Sequence, residues 1–199
     1  MAKVAVFFAD GFEEIEGLSP VDYLRRADID VTTVGVKGKI IEVNENKRMV
    51  VTSSHKIPVI TDMTLEEYLA QYESEIPDCV VCPGGSKGAE NLAESEELLK
   101  HLEKADNQGK LVAAICASPA VVLGKTSVPN GKKWTCYPGM ETESNPAYLN
   151  NYSNKVFITD GNLVTGRGPG ASEEFSMELV RILAGIDVYK KIHAGSQQR

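Results

Sequence analysis

The sequence predicts an α/β domain built around a mostly parallel sheet. Short apolar runs, such as Val4–Phe8 and Leu111–Ile115, alternate with stretches in which apolar residues recur at helical spacing. Such alternation is typical of one layer of strands covered by helices. No internal repeat, low-complexity run or obvious linker interrupts the 199 residues, so we expect a single domain over residues 1–199.

The first half of the chain predicts two strands, an irregular β region and a short helix. Pro20 lies inside the first helical pattern and predicts a kink or a break near Ser19. The β-branched pairs between residues 40 and 61 predict short antiparallel pieces at a sheet edge, and Thr64 is placed to cap the helix that follows. The predicted elements are strands Val4–Phe8 and Ile29–Gly35 and helices Glu13–Ala27 and Leu65–Tyr72.

The second half predicts a strand that ends in the turn Pro83-Gly84-Gly85, followed by two helices and the strand before Cys116. Residues 130–154 are rich in Asn, Gly, Pro and Tyr and predict a long surface excursion with one strand. The predicted elements are strand Asp78–Cys82, helices Lys87–Ala93 and Ser95–Gln108, a hairpin of Lys155–Thr159 and Leu163–Gly166, helix Ser172–Leu183 and a short helix within Gly185–Ala194.

The net charge and the apolar runs of the chain argue against two classes of protein, nucleic-acid binders and membrane-spanning proteins. The formal charge of −7 argues against a nucleic-acid binder, which needs a basic face. No apolar run approaches the roughly 20 residues needed to cross a bilayer, so we expect no membrane partner. The N-terminus runs directly into a strand and lacks the pattern of a signal peptide, so we expect a cytoplasmic protein.

The four cysteines do not suggest a disulfide scaffold in a chain of this kind. Cys79 and Cys82 lie three residues apart on a predicted strand and so face opposite sides, which favours core packing over a shared metal. The histidines have no ligand spacing and the glycines form no phosphate or dinucleotide fingerprint. We therefore expect no metal and no cofactor.

Cys116 follows the apolar run Leu111–Ile115 and precedes small residues and a helical pattern. This order places it on a sharp turn from strand to helix, the geometry of a nucleophile elbow. Backbone N–H groups and the helix dipole would then favour a thiolate. The alternative is that Cys116 is one more buried cysteine.

Three loops that end predicted strands should meet at one edge of the sheet, and they carry an acidic cluster, a glycine turn and a thiol. The N–H groups of Gly85 and Ala117 could stabilise an oxyanion. Glu16 lies one turn after Phe12 on a face that could turn inward, where a carboxyl would have a raised pKa and could move protons. The alternative for these acids is a solvated helix start that favourably meets the dipole.

Four motifs in order resemble the ThiJ/PfpI (DJ-one) superfamily, in its parkinsonism-associated deglycase branch. They begin with Phe7-Phe8-Ala9-Asp10-Gly11-Phe12-Glu13-Glu14-Ile15-Glu16 and continue with Val80-Val81-Cys82-Pro83-Gly84-Gly85, Ala113-Ala114-Ile115-Cys116-Ala117 and Thr165-Gly166-Arg167-Gly168-Pro169-Gly170. The resemblance implies a flavodoxin-like sandwich similar to the class I glutamine amidotransferases, and a homodimer.

The resemblance also implies roles for particular residues. It makes Cys116 the reactive cysteine, Glu16 the acid bonded to it, and Gly85 and Ala117 the oxyanion donors. Arg26 and Arg48 match arginines that line an anion-binding patch near the thiol in this branch.

Two departures from the family pattern bear on mechanism. Ala117 stands where the protease-like branch has histidine, which disfavours a Cys-His protease. Tyr137 stands in Thr135-Cys136-Tyr137-Pro138, where the parkinsonism-associated branch often has a histidine. A tyrosine is a poor base near neutral pH, so a mechanism that uses that histidine is not expected here. Cys136 is either a second oxidisable sulfur or a packing residue.

These observations give two functional hypotheses that use the same thiol. The first is a cofactor-independent glyoxalase or deglycase acting on small dicarbonyls such as methylglyoxal, or on their glycated adducts, through Cys116 and a proton shuttle by Glu16. The second is an oxidative-stress sensor or protective protein in which Cys116 oxidises to a sulfinate.

Overall fold

The computed structural model describes residues 1–43, 46–73 and 75–198. Its centre is a seven-stranded sheet in the order β6-β2-β1-β7-β8-β10-β9, and a separate three-stranded sheet has the order β3-β4-β5. The strands are β1 Lys3–Ala9, β2 Asp30–Lys37, β3 Lys39–Val43, β4 Asn46–Thr52, β5 Pro58–Ile60, β6 Met63–Thr64, β7 Cys79–Cys82, β8 Leu111–Ile115, β9 Phe157–Asp160 and β10 Leu163–Gly166.

The large sheet is parallel except at one edge. β1 pairs with β2 and β7, β7 with β8, and β8 with β10, all in parallel, whereas β9 pairs with β10 in an antiparallel hairpin. β7 and β8 are buried along their whole length, which explains why they consist of apolar residues without alternation. The prediction of an α/β fold with a mostly parallel sheet is confirmed.

The helices match the predicted positions within a residue or two. α1 runs continuously from Glu14 to Arg26 with Pro20 buried inside it, so the chain has no break near Ser19, and the alternative of a kink stays a prediction. The helices are α1 Glu14–Arg26, α2 Leu65–Gln71, α3 Ser86–Ala93, α4 Glu96–Asn107, α5 Ser118–Val121, α6 Ser172–Ala184 and α7 Ile186–Gly195. None of the helices in the described ranges has the length and apolar character that a membrane crossing demands.

Two predicted β regions differ from the structure. The antiparallel pieces between residues 40 and 61 form a sheet of their own instead of extending the edge of the large one. The excursion over residues 130–154 contains no strand, and its path is set by 3₁₀ turns and a single bridge between Trp134 and Tyr152. Trp134 is fully buried and its indole N–H donates to the carbonyl of Tyr148 at 2.9 Å, so side-chain anchoring replaces strand pairing here.

Candidate active site

The parallel strands β1, β7 and β8 end at one edge of the sheet, and the loops after them carry the predicted site. β1 leads to the start of α1, β7 leads to Pro83-Gly84-Gly85, and β8 leads to Cys116. Since these three strands are neighbours, the topology alone brings an acid, a glycine turn and a thiol together.

Cys116 occupies a strained turn. Its φ is 64°, a left-handed conformation that is unusual for a residue with a side chain. Its N–H donates to the carbonyl of Gly166 at 2.9 Å, and its own carbonyl accepts from the N–H of Tyr137 at 2.8 Å. These two backbone bonds hold the nucleophile elbow that the sequence predicted.

Glu16 is fully buried on the first turn of α1. Its Oε2 accepts a hydrogen bond from the N–H of Gly84 at 3.0 Å, and the Gly84 carbonyl in turn accepts from the N–H of Glu13 at 3.0 Å. The other oxygen, Oε1, is buried without a partner of ordinary hydrogen-bond geometry among the described residues. Glu16 Oε1 is therefore available as an acceptor for the nearby thiol of Cys116. The hydrogen bond between the two side chains lowers the pKa of the carboxyl.

Gly84 separates the acid from the thiol. A Cβ atom at this position would lie 2.5 Å from Glu16 Oε2 and 2.6 Å from Cys116 Cβ. Both groups therefore lie against the same backbone atom, and only a residue without a side chain leaves room for them. Sequence reasoning assigned no role to Gly84, although its place in a Pro-Gly-Gly turn was a usable signal.

Gly85 meets a different requirement. Its φ is +83°, and a Cβ there would approach the carbonyl oxygen of Gly11 to 2.3 Å, so the position needs glycine for both conformation and space. The backbone N–H groups of Gly85 and Ala117 both interact with the Cys116 sulfur and lower the pKa of its thiol. The structure thus places both predicted donors beside the sulfur; their part in catalysis stays a prediction.

Burial raises the pKa of both Glu16 and Cys116. It raises the pKa of Glu16 from 4.5 to about 8, with a further contribution from the negative charge of Glu13. Burial, followed by the charge and hydrogen bond of Glu16, raises the pKa of Cys116 from 9.0 to about 12, against the opposing N–H groups of Gly85 and Ala117. At neutral pH the Glu16 carboxyl is therefore mainly protonated. Because it then carries no charge, it does not repel a thiolate at Cys116.

Backbone N–H groups and a helix dipole were expected to favour a thiolate. The N–H groups of Gly85 and Ala117 do lower the pKa of Cys116, but burial outweighs them. The helix after Cys116, α5, spans only Ser118–Val121, and a single turn aligns too few peptide dipoles to outweigh burial. Because the pKa of the Cys116 thiol is raised to about 12, the sulfur carries a proton near neutral pH.

The chain is similar to known proteins over nearly its whole length. The model of the DJ-1/PfpI family matches residues 2–182 of this chain. The chain belongs to the DJ-1/PfpI family. Among curated members of the DJ-1/PfpI family, protein dj-1beta of Drosophila melanogaster is 38% identical over 199 residues, which cover 98% of this chain and 97% of the relative.

Two further members show how the likeness extends in sequence and in structure. The protein named glutathione-independent glyoxalase DJ-1 in Schizosaccharomyces pombe is 28% identical and aligns over 97% of each chain. The solved structure of oxidized Toxoplasma gondii DJ-1 superimposes with a TM-score of 0.84 at 34% identity and covers 99% of this chain and 98% of its own. The DJ-1/PfpI architecture is thus shared over the whole domain.

Tyr137 is half-exposed beside the elbow. It lines a pocket of about 460 Å³ together with Pro138, Arg167, Gly168, Pro169, Gly170 and Ala171. The N–H of Tyr137 donates to the Cys116 carbonyl at 2.8 Å, so one lining residue of this pocket is bonded to the backbone of the elbow. A role of Tyr137 in substrate binding stays a prediction.

The two predicted anion-binding arginines do not contact Glu16 or Cys116 in this chain. Arg26 ends α1, ten residues or about 15 Å along the helix from Glu16, and its Nε pairs with Asp22 Oδ2 at 2.7 Å. Arg48 lies on β4 in the smaller sheet and its Nη1 donates to the carbonyl of Lys47 at 3.2 Å. Their contribution to an anion-binding patch stays a prediction.

The fold also assembles a group that the sequence did not suggest. Ligand atoms of Glu13, Glu14 and His55 lie within 4.8 Å of one another. Glu14 Oε1 already pairs with His55 Nδ1 at 2.7 Å, and Glu13 Oε2 accepts from the N–H of Glu16 at 2.8 Å as the cap of α1. Since both carboxylates have partners in the protein, we assign no metal to them.

Proposed function

We propose that this protein is a cofactor-independent glyoxalase that acts on methylglyoxal-type dicarbonyls, with a related deglycase activity on their adducts. The observation that carries the proposal is the contact of a buried acid and a strained cysteine across Gly84, with two N–H groups directed at the sulfur. The relative named as a glutathione-independent glyoxalase supports it.

The proposed reaction begins with addition of sulfur to the aldehyde. The Cys116 sulfur bonds to the aldehyde carbon, and the thiol proton passes through Glu16 to the aldehyde oxygen, which gives a hemithioacetal. The N–H groups of Gly85 and Ala117 stabilise the negative charge that develops on the oxygen during this step.

Glu16 then moves a proton between the two carbons. The ionised carboxyl takes the proton from the former aldehyde carbon and returns one to the neighbouring carbon, while the hydroxyl proton of the hemithioacetal passes to the neighbouring carbonyl oxygen. Together these transfers convert the hemithioacetal into a thioester of a hydroxy acid. Water hydrolyses the thioester to lactate and restores the thiol. A pKa of about 8 suits this exchange, since an acid with a pKa near the working pH can both accept and donate protons.

The decisive experiment measures lactate formed from methylglyoxal without glutathione. Cys116→Ala should fall to the uncatalysed background, because it removes the nucleophile. Glu16→Gln should also lose most turnover, because an amide can neither relay the thiol proton nor exchange a proton between the two carbons. Cys136→Ala, which also removes one buried thiol, is the matched control and should retain turnover. Equal rates in the wild type and Cys116→Ala would contradict the proposal.

A second candidate is the oxidative-stress sensor, and the neutral state of Glu16 favours it. Two successive reactions with peroxide would convert the Cys116 thiol to a sulfenic and then a sulfinic acid, each releasing one water. A protonated Glu16 could donate a hydrogen bond to a sulfinate oxygen, as a carboxylate could not. Mass spectrometry after mild peroxide should find the sulfinate at Cys116; equal oxidation of all four cysteines argues against this role.

We also propose that the protein acts as a homodimer in the cytoplasm, without nucleic-acid or membrane partners. Large apolar side chains on α1 and on the smaller sheet are exposed, as is typical of interaction surfaces: Ile15, Leu18, Ile40 and Ile60. Light scattering coupled to size exclusion would distinguish a dimer from a monomer.

A further inference from the structure

The turn after β7 presents two successive peptide groups to the site. The first joins the carbonyl of Pro83 to the N–H of Gly84, and that N–H donates to Glu16 Oε2 at 3.0 Å. The second joins the carbonyl of Gly84 to the N–H of Gly85, which interacts with the Cys116 sulfur. The acid and the thiol therefore each receive one N–H group of the same turn.

Both peptide groups also accept a hydrogen bond on their carbonyl side. The Gly84 carbonyl accepts from the backbone N–H of Glu13 at 3.0 Å. The Pro83 carbonyl accepts from the Oγ of Ser118 at 2.6 Å. A hydrogen bond to the oxygen of an amide polarises the conjugated O–C–N unit, so the N–H of the same amide becomes a stronger donor. Two short chains of hydrogen bonds thus end on the acid and on the thiol.

Ser118 supplies the side chain in the first of these chains. It is fully buried at the start of α5, two positions after Cys116, and its hydroxyl reaches the loop that follows a different strand. The 2.6 Å separation lies at the short end of the range for bonds between a hydroxyl and an oxygen, which is typical of a strong bond. The hydroxyl thus links the loop of the nucleophile to the peptide group that contacts Glu16.

We propose that Ser118 is a positioning residue that strengthens the hydrogen bond from Gly84 to Glu16. This inference rests on the proposed function and assigns a further residue to the same site. The bond to Glu16 is charge-assisted when the carboxylate is ionised, so Ser118 stabilises the state of Glu16 that takes a proton from carbon. Ser118 acts through the peptide group of Pro83 and Gly84 and transfers no proton itself.

The titration of Glu16 reports this effect. Burial raises the pKa of Glu16 to about 8, against the N–H of Gly84, which lowers it. The titratable groups that act on this carboxyl within the described part of the chain are Cys116 on the elbow and Glu13 at the start of α1. A substitution at Ser118 changes neither of them. Loss of the hydroxyl weakens the Gly84 donor, so the pKa of Glu16 should rise further.

Carbon-13 NMR of the Glu16 carboxyl measures this change without turnover, and Glu16→Gln identifies the signal. In Ser118→Ala the midpoint of the titration should rise by about 0.3–0.5 pH units, as expected if one charge-assisted hydrogen bond weakens by roughly a quarter. An unchanged or lower midpoint would overturn the inference and leave Ser118 with a structural role only.

Ser176→Ala is the matched control. The Ser176 hydroxyl is also fully buried and also donates at 2.6 Å to a backbone carbonyl, that of Ser172 within α6. Its removal should leave the Glu16 midpoint at the wild-type value. Urea unfolding of both variants separates this effect from a loss of stability, because a midpoint that rises equally in both would also overturn the inference.

The pH profile of turnover is a second readout. Because the ionised Glu16 takes the proton from carbon, the rising limb of kcat for methylglyoxal should move to higher pH in Ser118→Ala by the same amount, with KM unchanged. A limb that coincides with that of the wild type would overturn the inference. If the wild type forms no lactate, the glyoxalase proposal fails, and the carboxyl titration alone then decides whether Ser118 acts on Glu16.

Discussion

The contact between Glu16 and Cys116 is the central feature of the site at the scale of single residues. Burial raises the pKa of both groups, so both are mainly uncharged at neutral pH. Glu16 adds to the rise at Cys116, whereas the hydrogen bond of Cys116 opposes the rise at Glu16. A thiol of this kind reacts when its proton is removed in the reaction itself, and the proposed mechanism assigns this proton transfer to Glu16.

The pH dependence of alkylation tests this arrangement. Because the pKa of Cys116 is raised to about 12 and that of Glu16 to about 8, the rate with iodoacetamide should rise from pH 6 through pH 9 without a plateau. Glu16→Gln should match the wild type near pH 6 and exceed it at pH 9, where the wild-type carboxylate repels the thiolate. A plateau below pH 7 in the wild type would show a low-pKa thiolate instead.

Gly84 provides a steric test. Gly84→Ala places a Cβ within 2.6 Å of both Glu16 Oε2 and Cys116 Cβ, so the acid and the thiol must move apart. We expect loss of turnover and a lower free energy of unfolding by about 1–3 kcal/mol, as in other overpacked sites. Gly195→Ala, where a Cβ meets nothing within 4 Å, is the control and should change neither quantity by more than about 0.5 kcal/mol.

At the scale of elements, hydrogen bonds between loops fix the geometry of the site more than α5, the helix after Cys116, does. The Gly84 turn bonds to the start of α1 in both directions, and Ser118 Oγ donates to the carbonyl of Pro83 at 2.6 Å. The turn after β7 is thus tied to the loops after both β1 and β8. This connection explains how a one-turn α5 suffices to place Cys116.

The start of α2 offers a prediction about local stability. Thr64 Oγ1 accepts from the N–H of Glu67 at 3.3 Å, and the Glu67 carboxylate accepts from the N–H of Thr64 at 2.9 Å, which together form a capping box. Thr64→Ala should lower the free energy of unfolding by about 1 kcal/mol in urea denaturation, while Thr64→Ser keeps the hydroxyl and most of the stability. Equal losses in both variants would assign the effect to packing of the methyl group.

At the scale of the whole molecule, the buried acid links stability to pH. The pKa of Glu16 rises from 4.5 in the unfolded chain to about 8 in the folded one, so the folded state binds more protons between these values. The contribution of Glu16 to the free energy of unfolding is fully present below about pH 4.5 and is lost as the pH rises through 8. The loss is about 5 kcal/mol at most.

Unfolding in urea at pH 5 and pH 8.5 measures this linkage. The wild type should lose stability between the two pH values, whereas Glu16→Gln should lose less because it has no proton to release. Glu75→Gln, at an exposed acid, should follow the wild type. Parallel losses in the wild type and Glu16→Gln would exclude Glu16 as the source.

The sequence alone determined the α/β class, the parallel sheet, most helices and the convergence of Glu16, Gly85 and Cys116. Apolar runs and helical spacing indicate which residues are buried, and the carboxyl ends of parallel strands lie on the same edge of the sheet. Only the tertiary structure decided the protonation of the thiol, the separate sheet around β4 and the role of Gly84. These properties depend on which groups surround a residue from distant parts of the chain, and no local pattern contains that information.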